Sequence, residues 1–145
     1  MAMANVSDVA AYILQKHGRM TTMKLQKLVY YSQAWSLVWD EKPLFQERIE
    51  AWANGPVCPD LDSQHRGKYV VNAGEINGDA GALTPVELET VDAVLKYYGD
   101  QSAQWLIDLT QSESPWKDAR KEYAPGDSCT NEITHSSMAE YYSSL

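Results

Sequence analysis

Few residues in this chain have the types and spacing that chemistry requires. The three histidines, His17, His65 and His135, form no HExxH, and no pair stands at metal-ligand spacing. Cys58, Asp60, Asp62 and His65 lie close together in sequence. They could support zinc binding, or a thiol nucleophile with His65 as its base. Zinc sites draw on more Cys and His ligands than this. A thiol-imidazole pair also needs a defined geometry and an oxyanion device, and neither is visible here. A buried thiol beside the start of a short helix accounts for the same residues. Gly74, Gly78 and Gly81 make no phosphate loop, because no Lys-Ser/Thr follows and Glu75 and Asp79 would repel phosphate. The sequence therefore assigns no catalytic residue, no metal and no cofactor.

Binding chemistry is better represented. Lys24 and Lys27 are three apart, so they share a helix face. They also sit where the helix dipole is positive, which costs a few tenths of a kcal/mol each. Either their stems lie on apolar surface with the ammonium groups in water, or an acidic partner holds them. Trp and Tyr are over-represented at binding hot spots, and the chain has five and nine of them. Trp35 and Trp105 read as core. Trp52, beside a Gly-Pro turn with Arg48 and Glu50 on its own strand face, is the best candidate for an exposed anchor.

The element that must position these groups is Thr21 to Trp39. Leu25, Leu28, Val29, Ser32, Trp35, Ser36 and Trp39 recur at helical spacing. Tyr30, Tyr31, Ala34, Leu37 and Val38 cover most of the other faces, which predicts a helix buried at the centre of its domain. Thr21 or Thr22 can cap it. A first helix is expected from Ser7 to His17, stopped by Gly18. Leu44 and Phe45 should anchor the next segment to the core. Arg48 to Trp52 alternates as a short strand does, punctuated by Asn54-Gly55-Pro56. Asp60 should cap a short helix ending at Gly67, and Tyr69-Val70-Val71 is a second candidate strand. Residues 72–83 read as a surface loop. Thr84-Pro85-Val86-Glu87 is a strong helix start. Further helices should open at Ser102, at Ser114 (to about Glu122) and at Thr134, with Ile133 on an edge strand. The whole reads as one mainly α domain, residues 1–145, around a buried helix at about 23–39, with a small β-element near 48–58 and a further candidate at 69–71.

A chain of 145 residues can bury a real core without staples. Two cysteines suggest no disulfide framework. The start MAMANVSDVAAYIL does not read as a signal peptide, and no run approaches a membrane span. The expectation is a soluble cytoplasmic protein. Its net charge of −8 is uneven. Residues 1–39 carry +3, from Lys16, Arg19, Lys24 and Lys27 against Asp8, and the remainder carries −11. Such an acidic body argues against nucleic acid as a partner. It either suits a basic protein partner or serves solubility alone.

The stretch Met23-Lys24-Leu25-Gln26-Lys27-Leu28-Val29-Tyr30-Tyr31, followed by Ala51-Trp52-Ala53-Asn54-Gly55-Pro56-Val57, resembles the Panacea antitoxin domain family, also met as SocA-like or phage-associated GepA-like proteins. Leu44-Phe45, Glu50, Pro59, Ser102-Ala103, Thr110 to Trp116 and Tyr141-Tyr142 continue the pattern in order. Gln111 stands where the family often has His; it can donate and accept hydrogen bonds but cannot titrate. The resemblance implies a non-enzymatic antitoxin, often prophage-encoded, that neutralises a cognate, translation-inhibiting toxin by direct binding. It also implies an alternative, an adaptor that hands the toxin to a Clp-type protease. A metal- or thiol-dependent enzyme at Cys58 and His65 is the third reading.

The expected partner-binding residues are Lys24, Lys27, Tyr31, Arg48, Glu50, Trp52, Gly55, Pro56, Val57 and Pro59. Leu25, Leu28, Tyr30, Gln111, Glu113 and Trp116 are further family-motif positions. The same motif residues could instead be the fold's own framework, with Lys24 and Lys27 paired to internal acids and the partner-reading residues in loops such as 72–83.

Overall fold

In a computed structural model, which describes residues 3–145, the chain is mainly helical. The central helix, α2, runs Thr22–Trp39, about 27 Å at 1.5 Å per residue. Thr21 caps it, its hydroxyl accepting from the Lys24 N–H. Leu25, Leu28, Val29, Tyr30, Tyr31 and Ala34 are all buried. Helices α1 (Val6–His17), α4 (Pro85–Tyr98), α5 (Ala103–Ser112) and α7 (His135–Ser143) pack around it. The all-round apolar pattern has this cause: a helix walled on every side has no wet face to leave polar.

The helix ends follow their side chains. Asn5 and Asp8 form a capping box on α1, and Thr84 and Glu87 form one on α4. Ser102 and Thr134 cap α5 and α7. The short helix α3 (Pro59–His65) corrects one expectation. Its N-cap is Cys58, with no side-chain cap bond, and Asp60 lies inside the first turn. Pro59 fixes that start, since its ring suits the first helical position and its missing N–H would be an orphan there. Helix α6 (Ser114–Ala119) ends three residues short of Glu122. Trp105 is 43% exposed rather than core, because α5 turns Leu106 and Thr110 inward instead.

The sheet elements are small. Strand β2 (Ile49–Trp52) lies between β3 (Gly55–Val57) and β5 (Glu132–Ile133), both antiparallel to it. Ile49 and Ala51 face the core while Glu50 and Trp52 are half-buried, so the alternation in sequence reports a one-sided strand. The expected strand at 69–71 is present, one residue shorter, as β4 (Val70–Val71), and it pairs with β1 (Met20–Thr21), which sequence reasoning missed. Two residues are too short for a periodic signal.

The 72–83 loop is more than a surface excursion. Ile76 and Leu83 are buried, and Asp8 accepts the Asp79 N–H at 2.8 Å. Gly78 lies so close to α1 that a Cβ there would fall 2.2 Å from the Ser7 carbonyl oxygen. Leu44 and Phe45 are anchored as expected. Gln33 Oε1 accepts both their N–H groups, and its amide donates to the Phe45 carbonyl at 2.8 Å.

Candidate functional site

The β2–β3 hairpin sits on the N-terminal half of α2. Its carbonyls are held from the other side by α5, α6 and the turn after it. Arg120 donates to Ala51 O at 2.9 Å, Trp116 Nε1 to Trp52 O at 2.8 Å and Gln111 Nε2 to Ala53 O at 3.0 Å. Gln111 and Trp116 thus act by fixing the hairpin's backbone. The Gln111 bond is one a neutral imidazole N–H could also supply. Gln26 holds the strand that follows. Its Oε1 accepts the Cys58 N–H, and its amide reaches Cys58 O and His65 Nε2.

Lys27 lies beneath this hairpin with no solvent exposure. Its Nζ is the one buried side-chain nitrogen or oxygen without a hydrogen-bond partner among the described residues. No carboxylate of the described residues lies within ion-pair distance, and burial pulls the ammonium down to about 7. Gly55 makes the room. A Cβ there would stand 2.7 Å from Lys27 Cε and 3.0 Å from Thr110 Oγ1, and its φ of +112° suits glycine alone. Gly55→Ala should therefore cost about 2–4 kcal/mol from steric overlap and backbone strain together. Urea denaturation measures this, and pairing it with Lys27→Ala should recover part of the loss.

Tyr31 is also fully buried, one turn along α2. Its hydroxyl donates to Glu113 Oε1 at 2.7 Å, and Tyr142 donates to the same oxygen at 2.8 Å. Tyr30 OH lies 3.0 Å from Tyr142 OH. Burial raises the Glu113 carboxyl above its ordinary range while the two phenols oppose the shift. Tyr31 stacks on Tyr98 at 4.2 Å. These aromatic motif positions, with Leu25 and Leu28, form the centre of the molecule.

The structure separates the expected binding residues into two sets. Lys27, Tyr31, Gly55, Pro56 and Val57 are buried. Lys24, Glu50, Trp52 and Pro59 are half-buried and Arg48 is exposed. Arg48 pairs with Glu50 at 3.0 Å, and Glu50 accepts from Trp52 Nε1 at 2.8 Å, so the three share one polar chain along the hairpin. Lys24 makes no ion pair among the described residues, though the nearby Asp100 charge opposes the lowering of its pKa by burial.

A cleft of about 470 Å³ opens beside the hairpin. Met23 and Gln26 of α2, Trp52 and Asn54 of the hairpin, His65 of α3 and Cys129 line it. Desolvation lowers the His65 pKa, and burial pushes the Cys58 thiol up to about 12. A thiol so raised supplies little thiolate at neutral pH. No group of three His, Cys, Asp or Glu converges to hold a metal ion among the described residues.

A second groove, of about 340 Å³, was not anticipated. Trp35, Trp39, Val94, Tyr97, Tyr98 and Leu145 line it at the other end of α2. Tyr97 is 75% exposed. Only Tyr97 falls just off its helix's apolar stripe; Trp39 keeps the apolar spacing of α2 and reads as core in the sequence.

No helix among the described residues is long and apolar enough to cross a membrane. Comparison with known families matches the model described as antitoxin SocA-like, Panacea domain, over residues 25–117. No curated protein and no solved structure matches. The matched segment covers more than half of the chain and runs from α2 through the hairpin to α6, so the chain belongs to the SocA-like Panacea antitoxin family.

Proposed function

From that membership we propose that the chain is a single Panacea-type antitoxin domain that neutralises a cognate toxin by binding it directly, without chemistry of its own. The observation that carries the reading is the family match across the segment that builds the hairpin and one side of its cleft. The toxin we envisage is a translation inhibitor, which would set both proteins in the cytoplasm, and a prophage origin is consistent with the family. An acidic chain favours a partner with a basic face, since complementary fields speed encounter.

The contact surface we propose is the accessible edge of the hairpin: Lys24, Arg48, Glu50, Trp52 and Pro59. The buried motif residues hold that edge in place from beneath. Trp52 offers a large, half-buried ring beside a concave cleft, the setting in which aromatic anchors contribute most. The test uses the product of the gene adjacent to this one. Arg48→Ala and Trp52→Ala should each weaken its binding about tenfold or more, roughly 1.4 kcal/mol, with a smaller loss of stability from the Arg48–Glu50 pair at this exposed edge. Trp39→Ala, at the far end of α2, is the control and should leave affinity unchanged. Wild-type affinity in both hairpin variants would reject this surface. Delivery to a Clp-type protease is the competing mechanism, and neutralisation that vanished in cells lacking the protease would favour it.

A further inference from the structure

We propose that Lys27 is a latent binding residue for a carboxylate of the partner, reached when the hairpin tip shifts off it. The inference rests on the antitoxin reading for the identity of the partner, though not for the site itself. The geometry that carries it is the orphaned Nζ in a slot shaped for it. Lys27 has no exposure and, among the described residues, no hydrogen-bond partner and no ion pair, and Gly55 has given up its Cβ to admit the stem. A core position that only needed filling would be met at lower cost by methionine or leucine, because an unpaired buried ammonium is strongly destabilising.

The groups around Lys27 do not neutralise it. Along α2, Tyr31 is committed to Glu113, and Lys24 has the same charge. From α3, His65 feels the Lys27 charge as a repulsion, while Asp62 is held by Arg66 at 2.9 Å. On the hairpin, Glu50 is engaged by Arg48 and Trp52. On α5, Thr110 donates to Ile107 O. The ligand class that answers an unpaired ammonium is a carboxylate, from an Asp or Glu side chain or a chain terminus.

The hairpin is the element that would move. Gln111 and Trp116 each hold its tip by a single side-chain bond to a carbonyl, and Asn54 is exposed. The cleft beside it gives room for displacement.

The proposal has a protonic signature. A carboxylate stabilises the charged lysine, so binding restores the proton that burial has made labile. The first probe is sodium formate, the smallest carboxylate, against sodium chloride at equal ionic strength. The Lys27 side-chain resonances, identified by their loss in Lys27→Met, are titrated by NMR. Formate should raise the Lys27 midpoint by about one unit or more; identical midpoints in the two salts would overturn the proposal.

The second probe is the adjacent-gene product, studied by calorimetry at pH 8 in buffers of different ionisation enthalpy. Wild-type complex formation should take up close to one proton, and Lys27→Met and Lys27→Gln should take up none and bind more weakly. Binding by the wild type without proton uptake, or full affinity in folded Lys27 variants, would overturn it. A wild type that bound no toxin would instead count against the antitoxin reading, leaving the formate result to judge the site.

Discussion

Lys27→Met should stabilise this protein, and the gain should shrink as pH rises. The folded-state pKa of Lys27 is about 7 against an ordinary 10.5. Between those values the unfolded chain holds a proton that the folded chain lacks, so stability rises with pH. Below about pH 7 both states carry the proton, and the full penalty of the buried charge applies. At 1.36 kcal/mol per unit that penalty is on the order of 4–5 kcal/mol.

The useful window is pH 7 to about 9. Above it, Cys58 and the buried tyrosines, whose folded pKa values are raised, remove stability as pH climbs. Within it, wild-type unfolding free energy should rise by about 2–3 kcal/mol relative to the Lys27→Met curve. Taking the difference between the two proteins cancels groups common to both, Glu113 included. Parallel curves from urea denaturation would mean that Lys27 does not titrate in this window.

The second large effect belongs to Glu113. Glu113→Ala should lower stability by about 2–4 kcal/mol, because it strands the buried Tyr31 hydroxyl and leaves Tyr142 only its bond with Tyr30. Glu113→Gln keeps an acceptor at the same place and should lose markedly less. If alanine and glutamine cost the same, the shared acceptor is not what holds the two phenols. Tyr31 and Tyr142 stand 6.0 Å apart edge to face, so the carboxyl also ties α7 to α2.

Much of this was legible in the sequence because local signals and tertiary need coincide. The Thr-Pro-x-Glu start of α4, the Thr21 cap and the apolar surround of α2 each state a physical requirement that the fold meets. The short strands β1 and β4 carry no periodicity, and only their pairing makes them strands. The site was half legible. The pattern Lys24 to Tyr31 and Ala51 to Val57 correctly marked two elements that meet in space. It did not reveal which side chains face inward, because a helix apolar on every side gives no phase. A lysine normally signals water, so Lys27 read as surface or as one half of an ion pair. Its burial depends on Gly55, twenty-eight residues on, and on a left-handed backbone that spacing alone does not disclose. The groove at Trp39 and Tyr97 was missed for a related reason, since aromatic residues on a helix look like core until their neighbours are known.

The central claim, neutralisation by direct contact, is tested most directly by co-expression with the adjacent-gene product in cells lacking Clp-type proteases. The account predicts that the wild-type chain restores growth and co-purifies with the toxin, while Trp52→Ala restores growth poorly at equal abundance. Unrelieved toxicity in those cells, reversed only when the protease is returned, would contradict it.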